Sequence, residues 1–114
     1  MLSATTAAIA TAGPSVQHAW VLVVLAPLFE EVLFRAGVQD WLSRATIGRW
    51  PAIVGTAVLF AALHVAVSGD PRRMAVALPA LVIGGVYART RRVRDCVVLH
   101  AAMNALWLGG LAAI

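Results

Sequence analysis

Four stretches of this chain carry no Asp, Glu, Lys or Arg: Met1–Phe29, Trp50–Gly69, Met74–Ala88 and Cys96–Ile114. No other feature narrows the fold as much. A helix crossing a bilayer core of about 30 Å needs roughly 20 mostly apolar residues. The second and fourth stretches, at 20 and 19 residues, fit directly. The third, at 15, has to recruit flanking residues, with Arg72, Arg73 and Arg89 reaching to the headgroups. The first is long enough, and its Thr/Ala-rich opening and the Gly13-Pro14-Ser15 break put the start of a helix near Ser15. Met1–Gly13 has no basic start and no strongly apolar core, so it does not read as a cleaved signal peptide.

The expected fold is therefore all-α. A short N-terminal segment, residues 1–15, precedes a single domain, residues 16–114, built as a bundle of four transmembrane helices. Composition agrees: 61% of residues are apolar and 12% charged, against roughly 45–50% and 25% in soluble domains. The same figures exclude a disordered chain. One cysteine, Cys96, excludes an internal disulfide and any multi-cysteine metal cluster, and is expected to be a small packed residue. Spanning strands are excluded because the runs lack alternation and four strands cannot close a membrane barrel.

All nine basic residues are Arg, and their placement carries topology. With four spans, Arg35, Arg44, Arg49, Arg89, Arg91, Arg92 and Arg94 fall on one side, and Arg72 and Arg73 on the other. Seven against two predicts the first group in the cytoplasm and both termini outside. The net charge of +4 is then a topology signal and not a nucleic-acid footprint; the Arg89–Arg94 run reads as a lipid-headgroup contact.

Chemistry is expected where polar groups interrupt the apolar runs. Glu30-Glu31-Val32-Leu33-Phe34-Arg35 continues a run of about a dozen apolar residues. An ionised side chain at mid-membrane costs roughly 2.5–3.5 kcal/mol on insertion scales, so two adjacent carboxylates need compensation. Arg35, four residues beyond Glu31, shares its helix face and can pair with it. Glu30, about a hundred degrees around, is left free for other work. Extension of the helix through Gln39-Asp40-Trp41-Leu42 would bury the pair more deeply; an interfacial, solvated pair is the plainer reading. His64 follows Phe60 by four, and Asn104 follows His100 by four. A packed histidine and interhelical hydrogen bonding are the structural alternatives for these groups. Hydrocarbon offers polar groups no partners but one another, so those on three separate helices are expected to converge. The remaining helix brings small residues, Ala80, Gly84 and Gly85, and the last helix a similar stripe, Ala101, Ala105 and Gly109, both allowing close approach.

Glu30-Glu31-x-x-x-Arg35, Phe60-x-x-x-His64 and His100-x-x-x-Asn104, in that order on separate apolar helices, resemble the three signature motifs of the CPBP family of intramembrane proteases. That family includes the CAAX prenyl endopeptidases and the bacteriocin-processing and abortive-infection proteins. The resemblance covers about residues 16–114. It implies a multi-pass protein of a bacterial or archaeal cell membrane that cleaves a membrane-associated or lipid-modified protein or peptide. Many members carry additional helices, so a second copy or a helper membrane subunit enters beside the bilayer as an expected partner.

Under that resemblance the site residues are Glu30, Glu31, Arg35, His64, His100 and Asn104. Peptide hydrolysis needs an activated water, a stabilised oxyanion and a proton for the leaving amine. Glu30 suits the base and His64 its water partner. His100 and Asn104 suit the oxyanion, and the Glu31–Arg35 pair holds the helix and sets the field. No cofactor is expected; the rival is a zinc ion on Glu30, His64 and His100, a His2Glu set. Against zinc stand the absence of a His-Glu-x-x-His helix and of a carboxylate to orient either His. A non-catalytic membrane scaffold or immunity factor, and an ion-handling subunit, are the readings from other classes. Depth is the strain: from Trp50 to His64 is roughly 21 Å of helix, from Asp95 to His100 only about 8 Å. The motifs meet only if helices tilt, the Arg89–Asp95 linker dips inward, or Arg49–Pro51 stands outside the hydrocarbon.

Overall fold

A computed structural model of the chain describes residues 16–45 and 48–109. Residues 1–15, treated above as a separate segment, lie outside that range. Four helices run through the described residues, and no strand occurs among them. Helix α1 covers residues 16–45, α2 is Arg49–Ser68, α3 covers residues 71–90, and α4 is Val93–Gly109. Each overlaps one of the four charge-free stretches, and α1 runs on well past the end of the first, through Glu30, Glu31 and Arg35. Of the four, α2 is by itself long and apolar enough to cross a membrane, with a mean hydropathy of 1.9.

α1 is not a uniform α-helix. It widens into π turns at Val21–Leu25 and again at Val32–Gln39, on either side of the Glu30-Glu31 pair. The Ala26 N–H reaches back five residues to the Val21 carbonyl, and the Asp40 N–H reaches Arg35 in the same way. Such wide turns are frequent at functional sites. The helix continues past Gln39 to Ala45, which carries the charged pair well inside the bundle.

The connections follow from local chemistry. Gly69 ends α2 in the left-handed region, φ +70°, and donates its N–H to the Val65 carbonyl at 2.8 Å; that backbone favours a residue without Cβ. Asp70 then caps the tighter first turns of α3, Pro71–Val76, by accepting from the Arg72 N–H at 3.0 Å. Arg91 closes α3 at φ +57°, unusual for a side chain of its size. Its guanidinium returns to Asp40 of α1 at 2.8 Å and lies over the Tyr87 ring at 4.8 Å, while the Tyr87 hydroxyl donates to the same carboxylate at 3.0 Å. Arg91 thus ties the α3–α4 turn to α1, a role the headgroup reading of the Arg89–Arg94 run did not contain.

The core lies where α1, α2 and α3 meet, with Phe34, Ala57, Phe60 and Ala80 buried together, and continues between α3 and α4 through Ile83, Tyr87 and Cys96. Cys96 is fully buried, as expected. Phe34 and Phe60 pack edge to face at 5.0 Å between ring centroids. The small residues of α3 behave as anticipated: Ala80 and Gly84 are buried where α1 and α2 press on α3. The stripe on α4 does not; Ala105 and Gly109 are exposed, and nothing among the described residues lies within 4 Å of where a Gly109 Cβ would stand.

A Cβ at Gly84 would stand 3.0 Å from the Ile53 side chain and 3.3 Å from the Gln39 amide oxygen, whereas one at Gly85 meets nothing within 4 Å. Overpacking a filled core costs roughly 1–3 kcal/mol, and a Gly-to-Ala change at an open helical position gains up to about 1 kcal/mol. Thermal unfolding in detergent should therefore show Gly84→Val clearly destabilised and Gly85→Ala at or above wild type. Equal midpoints would remove the tight α1–α3 contact from this account.

Candidate active site

The site begins with a charge that the fold has to accommodate. Glu31 and Arg35 are both fully buried. Arg35 Nε donates to both Glu31 carboxylate oxygens, at 3.2 and 3.3 Å, from one helical turn away. Its other nitrogens are also used: Nη1 donates to Gln39 Oε1 at 3.0 Å, and Nη2 to the Ala80 carbonyl of α3 at 3.3 Å. Gln39 in turn donates through Nε2 to the Gly84 carbonyl at 3.1 Å. One charge is neutralised, and α1 is fastened to α3 at two carbonyls four residues apart.

That fastening turns Glu30 away from α3. Its carboxylate is met from two other helices. His100 Nε2 of α4 stands 3.3 Å from Glu30 Oε2, and His64 Nε2 of α2 stands 3.9 Å from Glu30 Oε1. His64 Nδ1 donates to the Phe60 carbonyl at 2.8 Å, which assigns the ring proton to Nδ1 in the neutral imidazole and turns the Nε2 lone pair toward Glu30. His100 is the more buried of the two. Among the described residues its Nδ1 has no hydrogen-bond partner, and it faces Glu31 Oε1 at 3.8 Å. His100 thus lies between the two carboxylates. The Phe60 ring packs against both imidazoles, with centroids 4.3 Å from His64 and 6.0 Å from His100.

Asn104, one turn beyond His100, is committed in part to the backbone. Its Nδ2 donates to the Leu22 carbonyl of α1 at 2.7 Å. That carbonyl is five residues before Pro27, within the five-back pattern of the first π turn, and proline has no N–H to give it. Asn104 supplies the missing donor and so docks α4 onto α1.

The five residues Glu30, Glu31, Arg35, His64 and His100 therefore come together, and Asn104 stands beside them. Gln39 was read only as part of an amphipathic stretch. Its signal was the spacing, since Glu31, Arg35 and Gln39 recur every four residues. The tie of Asp40 to Tyr87 and Arg91, spanning almost half the chain, has no local signal at all. Arg35 was counted among linker charges; the structure corrects this, because it is inside the bundle. The two histidines reach Glu30 over different lengths of chain. Arg49 and Arg91 line one cavity of about 200 Å³ at the same end of the bundle. From there α2 takes fifteen residues to reach Glu30 and the α4 side takes nine, roughly 22 and 14 Å at 1.5 Å per residue. No group of three or more His, Cys, Asp or Glu side chains among the described residues is disposed to hold a metal ion.

Beside Glu30 and His64 opens a groove of about 310 Å³, walled by Phe34, Leu63 and Val67 and bordered by Ser68 and Arg73. A polar centre at one side of an apolar cleft is the usual form of a small-ligand or peptide site.

Removing one partner of a buried ion pair costs roughly 3–5 kcal/mol in soluble proteins. Arg35→Ala should therefore lower the amount of folded protein, read as the monodisperse fraction in detergent. Arg35→Lys should recover little of it, because one ammonium cannot replace a planar fork that serves Glu31, Gln39 and Ala80 together. Full recovery by lysine would reduce the network to simple charge neutralisation.

The family model for Rce1-like proteins, described as type II CAAX prenyl endopeptidase Rce1-like, matches residues 12–106 of this chain. No curated protein and no solved structure matches it.

Proposed function

The chain belongs to the Rce1-like family of type II CAAX prenyl endopeptidases, and from that premise we propose that it is an intramembrane endopeptidase whose general base is Glu30. The observation that carries this reading is the approach of His64 and His100, from two separate helices, to the single Glu30 carboxylate. A packing device would need one such contact; a reaction needs several groups around one point.

The chemistry follows from the donor and acceptor assignments. A water held between Glu30 and His64 gives one hydrogen to the carboxylate and the other to the His64 Nε2 lone pair, which aims an oxygen lone pair at the substrate carbonyl. Glu30 takes the proton as the C–O bond forms, and later passes it to the leaving nitrogen as the C–N bond breaks. His100 and Asn104 donate to the oxyanion. Asn104 keeps a second amide hydrogen for this after serving Leu22. Glu31, held by Arg35, lies 3.8 Å from His100 Nδ1 and helps to orient the ring. The rival set for a zinc ion, Glu30, His64 and His100, surrounds the same point but is not disposed as a metal site among the described residues.

The substrate is a membrane-associated or lipid-modified protein or peptide, and the bilayer is the second partner. Large apolar side chains on the outside of all four helices support membrane burial, among them Phe29, Leu33, Val67, Leu78, Val98 and Leu106. Trp20, Trp41 and Trp50 are likewise exposed, as interfacial anchors would be. Without Arg35, the charge asymmetry still sets Arg44, Arg49, Arg89, Arg91, Arg92 and Arg94 against Arg72 and Arg73. The reading is a four-span protein of a bacterial or archaeal cell membrane, with the larger arginine group in the cytoplasm and both termini outside. Cysteine accessibility at introduced single sites should label residue 70 from outside and residue 92 only after permeabilisation; the reverse pattern would invert the topology.

Cleavage rate per folded molecule tests the mechanism. Glu30→Gln and His64→Ala should abolish cleavage while the protein still inserts and accumulates. Asn104→Ala should retain residual activity, since one oxyanion donor is typically worth about 10²–10³ in rate. Activity should survive strong chelators. Wild-type turnover by Glu30→Gln would end the glutamate mechanism, and loss on chelation with recovery on added zinc would transfer it to the metal.

A further inference from the structure

A second polar cavity lies at the end of the bundle away from Glu30, and the chemistry above makes no use of it. It holds about 200 Å³ between α1, the start of α2 and the end of α3, and is lined by Gln39, Ser43, Gly48, Arg49, Ala88 and Arg91. Two of these six are arginines and none is acidic. The two arginines differ in their ties. Arg91 is fixed, since its Nη1 donates to Asp40 at 2.8 Å and its guanidinium lies over the Tyr87 ring. Asp40 offsets one charge and leaves most N–H groups of that fork unspent. Arg49 is exposed, and among the described residues the arginines in ion pairs are Arg35, Arg72, Arg91 and Arg94. It therefore brings to the cavity a charge that no carboxylate offsets. The neutral neighbours are already occupied. The Gln39 amide serves Arg35 and Gly84, and the Ser43 hydroxyl donates to the Gln39 carbonyl at 3.0 Å.

One fixed and one free guanidinium, with no acid in the lining, make a place for an anion, and two such forks match the oxygens of a phosphate. Position decides which phosphate. Trp41 follows Asp40, Trp50 follows Arg49, and both are exposed, as side chains at a lipid–water boundary are. Further along the same helices the outer surface turns apolar, with Val54 and Val58 of α2 and Val82 of α3 exposed. Basic pockets between spanning helices are known to hold anionic lipid headgroups. We infer that this cavity binds the phosphodiester of an anionic membrane phospholipid, with Arg49 and Arg91 on its oxygens and the acyl chains along α2 and α3. A choline or ethanolamine headgroup adds a cation that the arginines repel, whereas a glycerol headgroup does not. Bound lipid would join the start of α2 to the end of α3, at the level where Asp40 already holds Arg91. Lipid binding here is independent of peptide cleavage at Glu30.

The test uses the full chain, delipidated in a neutral detergent. Dioleoyl phosphatidylglycerol or dioleoyl phosphatidylcholine is titrated into the micelles while the unfolding midpoint is followed. Phosphatidylglycerol should raise the midpoint saturably and phosphatidylcholine should not, because a ligand that binds only the folded state stabilises it. Arg49→Gln removes no contact of the fold among the described residues, and should weaken the apparent affinity for phosphatidylglycerol about tenfold, as loss of one charged partner does. Arg49→Lys should recover part of that loss. Arg44→Gln removes an equal charge from the same end of the bundle but outside the cavity, and should leave the affinity unchanged. Equal losses in Arg49→Gln and Arg44→Gln would overturn the site in favour of diffuse surface attraction, and an equal response to both lipids would overturn it as well. Glycerophosphoglycerol, the same headgroup without acyl chains, and inorganic phosphate separate the sources. If either matches phosphatidylglycerol at the same concentration, the lipid assignment falls and the cavity is a free-phosphate site. No readout here uses cleavage, so its failure leaves the endopeptidase reading standing.

Discussion

A fully buried arginine has to have its donors satisfied, and in this molecule that requirement organises the rest. Arg35 divides its guanidinium among Glu31, Gln39 and the Ala80 carbonyl. Only the first of these neutralises charge. The others bind α1 to α3, and Gln39 repeats the attachment one turn along at Gly84. Helical carbonyls have a second lone pair available for such contacts, but a side chain reaches them only where the receiving helix is bare. Ala80 and Gly84 supply that bareness. The rotation of α1 follows, and with it the direction of Glu30.

The irregular winding of α1 belongs to the same arrangement. Wide turns leave carbonyls with poorly placed or missing partners, and Pro27 removes one donor outright. The Leu22 carbonyl so exposed is taken by Asn104. A residue suited to oxyanion stabilisation therefore also fixes the approach of α4, and the same helix brings His100 to Glu30. At the other end of the bundle, Asp40 performs a comparable service by holding Tyr87 and Arg91. Asp40 lies ten residues after Glu30, and His100 lies nine after Arg91. The antiparallel α1–α4 pair is thus clamped at both levels, which positions Glu30 and His100 against each other.

Much of this was legible in the chain. The four apolar runs each contribute to one helix among the described residues because they hold long uninterrupted apolar stretches, and Glu31 met Arg35 because residues four apart share a helix face. The convergence of Glu30, His64 and His100 was foreseeable from the scarcity of polar partners inside an apolar bundle. What escaped was of two kinds. Gln39 carried the right spacing but no charge to draw attention to it. Arg35 was counted as a linker charge because a sequence does not mark where a helix passes from interior to interface. The small residues of α4 show the converse: the pattern of Ala101, Ala105 and Gly109 matched that of α3, yet its outer members face outward.

By itself, the sequence determined the helical class, the number and order of the helices and the pairing of neighbours on one face. These depend on hydropathy and on a period of 3.6 residues, both local quantities. Tertiary structure alone decided which carbonyls of α3 receive Arg35 and Gln39, that Pro27 leaves a place for Asn104, and that His64 and His100 both reach Glu30. Each of these turns on the relative rotation and tilt of whole helices, set by the summed packing of many side chains, and no short window of sequence contains that sum.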